Sequence, residues 1–367
     1  MLERYGHGGD LRTAAEAFGR SEDGFIDFSS NMNPFGPPDI VRTILREYAD
    51  RIHTYPDPAV RELRQALAAR HGIDESCILV GNGAAELIDL VVRYIKPSRV
   101  GLTVPCFSEY GEAAAKADAE IVTLQLDSGA SFELASKQIR GMKKQPDLWF
   151  LGSPNNPTGR RIAPGIIVEG MKNGHSFVVD EAFLDFVQGS ERFSLIRDAV
   201  MSDRLFVVRS LTKFYAIPGI RLGYIVGKAD RIAALRELQV PWSVNSLAQL
   251  IGCAVLQDKA YEARTLSWLA GERPWFIERL RSLGLRVNES DTNYLLAGLP
   301  AESIWQASTL QQELGKQGIL IRDASLFEGL DHSWFRIAIR LREQNEQLLS
   351  VLKSVLAMPA AEAEAIG

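Results

Sequence analysis

The stretch from Ser210 to Arg221 (SLTKFYAIPGIR) brings two hydroxyls, Ser210 and Thr212, together with the amine of Lys213 and the guanidinium of Arg221. It follows Leu205-Phe206-Val207-Val208, an apolar run of the kind that forms a buried strand. A lysine just past a strand end, among Phe214, Tyr215, Ile217 and Pro218, is shielded from water, and desolvation lowers an amine pKa. Such an amine can form a Schiff base with an aldehyde. Ser210, three residues before it, and Arg221, eight after, are suited to a phosphate dianion, the arginine through its two-pronged fork. A ligand that carries both an aldehyde and a phosphate is pyridoxal 5′-phosphate (PLP). Taken alone, the same residues also fit a surface lysine with an ordinary structural arginine, so the other segments must decide.

Several of those segments place polar or aromatic residues directly after apolar runs. Ile78-Leu79-Val80 leads into Gly81-Asn82-Gly83-Ala84-Ala85-Glu86 and an amphipathic helix. A glycine turn that opens a helix exposes backbone N–H groups at the positive end of the helix dipole, a setting for phosphate. It is neither a P-loop nor a dinucleotide fingerprint, since it lacks Gly-Lys-Ser/Thr and the GxGxxG spacing. Phe107, just past Val100–Val104, can stack on a flat heteroaromatic ring or serve as a core aromatic. Asn155 and Asn156 lie between prolines in SPNNPTG, a rigid polar turn at a strand end, where α/β folds place ligands. Asp180 ends Phe177-Val178-Val179, and a carboxylate there is costly unless paired. Beside Lys213, its natural partner is a protonated pyridine nitrogen; a helix N-cap is the ordinary alternative. Tyr55, in the turn Tyr55-Pro56-Asp57-Pro58, packs locally or reaches across a subunit boundary.

The elements that must hold these groups alternate between strand and helix, which predicts an α/β fold with a largely parallel sheet covered by helices on both faces. After Pro241-Trp242-Ser243-Val244-Asn245 a long helical region extends into the 270s. A second α/β unit follows, with strands expected at Leu285–Val287, Tyr294–Leu296, Ile319–Arg322 and Trp334–Arg340, closed by a helix around Glu346 to Leu356. Arg336 and Arg340 share a sheet face if their strand is unbroken. Cations there, with Arg322, would suit a substrate bearing a carboxylate and a second anion.

At 367 residues, 46% hydrophobic and 24% charged, the chain is an ordinary globular protein with room for two domains. A net charge of −5 offers no footprint for nucleic acid or an anionic membrane. Three scattered cysteines make neither a disulfide framework nor a metal site, and no run approaches ~18 apolar residues. The expectation is a cytoplasmic protein. The glycine-flanked His7 near the N-terminus can approach an anion, or belong to a flexible arm.

The ordered set GNGAAE, SPNNPTG, DEAF and SLTKFYAIPGIRLGY resembles the fold-type I PLP enzymes of the aspartate aminotransferase superfamily, over nearly the whole chain. Within it, HGG (His7 to Gly9), FSSNMNP, PWSVN, ILIRD and WFRIAIR are most similar to the L-threonine-O-3-phosphate decarboxylases, relatives of the histidinol-phosphate aminotransferases. The resemblance implies a large domain with a mostly parallel seven-stranded sheet and a small C-terminal α/β domain. The expected division is an arm over 1–33 serving the substrate site and small domain, a PLP-binding domain over 34–245, connecting helices over 246–280, a small domain over 281–358 and a flexible tail over 359–367. It implies Lys213 as the Schiff-base lysine and Asp180 as the pyridinium partner. Asn156 would bond the ring hydroxyl and Phe107 would stack on the ring. Gly83, Ala84, Ser210 and Arg221 would hold the cofactor phosphate, with Tyr55 supplied by the second subunit of a homodimer. Arg336 would take the substrate carboxylate, and His7, Gly8, Asn31 and Arg322, with Asn156, would complete the site for a small phosphorylated amino acid. Phe183 in DEAF stands where many aminotransferases have tyrosine, a departure the decarboxylases share. A histidinol-phosphate aminotransferase is the alternative. A DNA-binding relative would need an added helix-turn-helix segment, and a non-catalytic scaffold would have no use for Lys213, Asp180 and Arg221 together.

Overall fold

The structure, a computed structural model, describes residue 2 and residues 8–358. Its strands are β1 (Ile26–Asp27), β2 (Ile78–Gly81), β3 (Arg99–Val104), β4 (Glu120–Gln125), β5 (Leu148–Gly152), β6 (Phe177–Asp180) and β7 (Leu205–Ser210). They continue with β8 (Gly223–Val226), β9 (Arg286–Val287), β10 (Tyr294–Gly298), β11 (Ile319–Leu320), β12 (Arg322–Asp323) and β13 (Trp334–Ala338).

Seven of them form one sheet in the order β2-β8-β7-β6-β5-β3-β4. The run from β7 to β4 is parallel, and β8 lies antiparallel between β2 and β7. Every residue of β2, β5, β6, β7 and β8 is buried, as continuous apolar runs demand when helices cover both faces. Alternate residues part to opposite sides. Val178, Phe206 and Val208 pack with Leu87, Leu90 and Val91 of the helix Ala84–Ile95. Val179 and Val207 join a second core that continues into Tyr294, Leu295 and Ile337 of the smaller sheet. Each such side chain contributes about 1.5–3 kcal/mol on burial, which fixes strand register firmly. The parallel strands all end at one edge, where Val104, Gly152, Asp180 and Ser210 turn into the loops of the site.

Three strands were not legible as such. β1 spans only two residues of the N-terminal segment. β4 is an edge strand of exposed and half-buried residues without an apolar run, and β8 lies inside the motif that follows Arg221.

The smaller sheet is antiparallel, in the order β12-β13-β10-β9. Ile319–Arg322 is not one strand, as the apolar pattern suggested. It divides at Ile321: β11 pairs in parallel with β1 of the N-terminal segment, and β12 pairs with β13. The strand holding Arg336 also stops at Ala338, where the Ile339 N–H donates to Asn293 O and the Arg340 N–H to Asn345 Oδ1. The shared face inferred for Arg336 and Arg340 therefore does not hold, because it needed an unbroken strand. Between the sheets run the helices Ser246–Val255 and Lys259–Ser282, the second capped by Asp258, whose carboxylate accepts from the Tyr261 N–H at 2.9 Å. The final helix is Arg342–Leu356. The tail expected over 359–367 lies outside the described residues. Among the described residues, no helix is long and apolar enough to cross a membrane.

Candidate active site

The phosphate end is built mainly from backbone. β2 ends in a turn whose Asn82 N–H donates to Glu86, and Gly83 then opens the helix Ala84–Ile95 at φ +88°. That left-handed angle favours glycine, and a Cβ at Gly83 would lie 2.6 Å from the Arg221 guanidinium. Ser210 ends β7 directly opposite Gly223, where a Cβ would lie 2.9 Å from the Ala84 nitrogen. Ser210 Oγ and Thr212 Oγ1 share a 2.8 Å hydrogen bond, and Arg221 is exposed with its guanidinium donating to Pro218 O at 3.2 Å. A helix start, two hydroxyls and an arginine thus converge, a donor set that fits a phosphate.

The expected Schiff-base lysine and its carboxylate lie one strand away. Asp180 is buried, and both hydrogen bonds that reach its carboxylate come from neutral groups: the Tyr110 hydroxyl at 2.8 Å and the Ala182 N–H at 2.9 Å. Burial pushes its pKa up, against the hydrogen bonds and the nearby Lys213. Burial first, then Arg221 and Arg336, push the Lys213 pKa down from 10.5 to about 8. Its amine is therefore accessible in neutral form near physiological pH. Phe107 sits at the start of the helix Ser108–Lys116, edge-to-face with Tyr110 at 5.6 Å. Phe183 stands edge-on to Tyr294 at 4.9 Å, and the Tyr294 hydroxyl donates to Asn155 O at 2.8 Å.

The third group is cationic. Arg336 is buried in β13 and donates to Asn156 Oδ1 at 2.5 Å and to Ser29 O at 2.6 Å. Arg322 is buried directly opposite it in the β12–β13 register. The N-terminal segment closes over this pair: a Cβ on Gly8 would meet Ser29 O at 2.3 Å, and Asn31 O accepts from Asn293 Nδ2 at 3.0 Å. Asn31 Oδ1 is buried with no hydrogen-bond partner among the described residues, an acceptor left for a ligand. His7 lies outside the described residues. Tyr55 is not brought to the site within this chain; it is 83% exposed, its ring against Trp242 at 5.3 Å.

Behind the site runs an ionic network that sequence reasoning did not find. Arg209 is clamped by Glu181 at 2.9 Å and Asp185 at 2.5 Å, and Glu262 takes both Arg70 at 2.5 Å and the Tyr215 hydroxyl at 2.8 Å. Glu181 and Asp185, Arg209 and Tyr215 lie close in the chain to Asp180, Ser210 and Lys213, and Arg70 and Glu262 reach them from two distant helices. Tyr110 was also missed. Its signal was the spacing of three from Phe107 at a helix start, which puts both aromatics on one side of the turn.

Residues 23–352 match the family described as Aminotransferase class I and II. The chain belongs to that family. It is 40% identical to a threonine-phosphate decarboxylase of Salmonella typhimurium over 357 residues, 95% of this chain and 96% of the relative. Among solved structures, a histidinol-phosphate aminotransferase from Clostridium acetobutylicum is similar with a TM-score of 0.82 and 31% identity, over 90% of this chain and 98% of that one. An L-threonine-O-3-phosphate decarboxylase from Porphyromonas gingivalis is similar with a TM-score of 0.79 and 29% identity, over 90% and 99%. The fold expected from the motifs, that of the fold-type I PLP enzymes, is the fold observed.

Proposed function

We propose that the chain is a PLP-dependent carboxy-lyase that converts L-threonine O-3-phosphate to (R)-1-amino-2-propanol O-2-phosphate and CO2, the product serving as the cobalamin nucleotide-loop linker. The observation that carries this reading is the 40% identity, end to end, with a threonine-phosphate decarboxylase. The site supports it: Arg221, Arg336 and the buried Asp180 carboxylate all lie near enough to Lys213 to act on its charge, and Arg322 faces Arg336 across the β12–β13 register.

In this reading Gly83, Ala84, Ser210 and Arg221 hold the cofactor phosphate, and Lys213 takes its aldehyde carbon. Asp180 keeps the ring nitrogen protonated, Asn156 faces the ring hydroxyl and Phe107 covers the ring. When bound, the cofactor supplies the electron sink for the pair released at Cα, and it favours cleavage of the bond that stands perpendicular to its ring. Arg336 binds the substrate carboxylate and, held on two sides by Asn156 and Ser29, fixes the direction in which that carboxylate points. His7, Gly8, Asn31 and Arg322 take the substrate phosphate. The Lys213 amine, titrating near neutrality, delivers the proton that replaces CO2 at Cα. We place the enzyme in the cytoplasm as a homodimer, with Tyr55 of each subunit reaching the other's cofactor phosphate; its exposure and its pairing with Trp242 support this.

The test is a product assay on purified protein with PLP and L-threonine O-3-phosphate, without a keto acid. CO2 and aminopropanol phosphate released in equal amounts over many turnovers are expected. No CO2, but keto product once histidinol phosphate and 2-oxoglutarate are supplied, would make the protein an aminotransferase, the reading that the likeness to the Clostridium structure favours.

A further inference from the structure

Asp180 is a buried carboxylate with no side-chain donor of its own chain segment. The hydroxyl that reaches it comes from Tyr110, on a helix that begins after β3, and the 2.8 Å bond spans two strands of the sheet. Tyr110 is itself held tightly. It is 2% exposed, its ring lies parallel to Phe150 at 5.5 Å and 13°, and Phe107 meets it edge-on at 5.6 Å. The space for its hydroxyl is left by Gly152, where a Cβ would lie 3.3 Å from the oxygen. Gly152 is in turn the register partner of Asp180 across β5 and β6. Burial and the Asp180 charge hold the phenol pKa well above its usual value, so the hydroxyl keeps its proton and donates.

We propose that Tyr110 is a positioning residue for the cofactor ring: its hydroxyl fixes the orientation of the Asp180 carboxylate, while its ring braces Phe107, so that one side chain sets both the ring-nitrogen partner and the stacking wall. This rests on the cofactor assignment above. It assigns Tyr110 no contact with the substrate, so its loss should leave substrate affinity alone.

Tyr110→Phe removes one oxygen and keeps both ring contacts. Cofactor affinity, measured by titrating apoprotein with PLP, should weaken about tenfold or more, the usual effect of removing a hydrogen bond to a charged group. The visible band of the holoprotein should shift, and kcat should fall about tenfold with KM for the substrate unchanged within about twofold. In the Asp180→Asn background the same change should weaken cofactor affinity no further. Wild-type affinity, spectrum and kcat in Tyr110→Phe, or independent losses in the double variant, would overturn the proposal while leaving the cofactor site intact. Should Tyr110→Phe fail to fold, Gly152→Ala, whose Cβ presses on this hydroxyl and on Asn155, must weaken cofactor affinity, and no further in the Asp180→Asn background; unchanged affinity, or a further loss in that background, overturns it too. If wild-type protein does not bind PLP at all, the cofactor assignment fails, and this proposal with it.

Discussion

Asp180 and Glu181 are chain neighbours, both carboxylates, both buried, and both pushed toward higher pKa by burial. Their surroundings differ. Glu181 is met by the Arg209 guanidinium at 2.9 Å, the Leu195 N–H at 2.7 Å and the Ser194 hydroxyl at 2.8 Å, so its charge is compensated within the protein. Asp180 is met at hydrogen-bonding distance by a phenol and an amide, neither of which carries charge. A buried anion with no cation at hydrogen-bonding distance is costly, and the protein carries that cost where a cationic ring nitrogen is expected. Glu181 is matched by a cation of the fold; Asp180, in the proposed function, is matched by a ligand.

Substitutions can break this contrast. The largest effect is expected at the amine near Asp180: Lys213→Ala should abolish turnover and the visible absorbance near neutral pH, and an unchanged spectrum would sink the site. Asp180→Asn should lower kcat on the order of 10²–10³-fold, as the loss of a preorganised electrostatic partner does, while the apoprotein melts no earlier than wild type. Glu181→Gln should do the reverse. Breaking a buried ion pair costs about 3–5 kcal/mol, so it should unfold at lower urea yet, once folded, bind PLP with affinity close to wild type. Equal losses of stability in the two variants would erase the distinction.

Two pH measurements sharpen it. Capture of PLP by the apoprotein needs neutral Lys213, so its rate should rise tenfold per pH unit in acid and level off above about 8 rather than about 10.5. A smaller effect concerns His71, on the structural side of the contrast, whose Nε2 shares a 2.7 Å hydrogen bond with Tyr224. Burial, with Arg209 and Arg70 nearby, lowers its pKa to about 3 from 6.5. The unfolded chain therefore binds the proton first, and stability is lost as pH falls below about 6.5. Between pH 7 and 5 this amounts to about 2 kcal/mol, read as a fall in urea midpoint that His71→Gln lacks.

Most of the candidate site was legible because its residues sit at the ends of apolar runs, and a parallel sheet gathers such ends at one edge. Lys213, Asp180, Ser210 and Gly83 meet for that reason. What was not legible depends on side-chain reach across strands. Tyr110 looks in the sequence like any helix aromatic, and only the placement of β5 between its strand and β6 brings it to Asp180. The Arg209 network hid for the same reason, since Arg70 and Glu262 come from helices far apart in sequence. The division of Ile319–Arg322 into β11 and β12 was invisible because both halves are buried, so periodicity cannot say which partner each will take.

That division has a consequence for how the protein comes to life on the ribosome. β1 has its partner in β11, with the whole large sheet between them in the chain, and the Ala338 N–H closes on Phe28 O still later. Contacts so distant in sequence form late, after the loop between them has been drawn in. A nascent chain halted before Ile319 would already hold every residue assigned to the cofactor, yet it would lack Arg322 and Arg336 and leave the N-terminal segment without its strand. Under the proposed assignment, translation would therefore complete the cofactor residues well before the substrate residues.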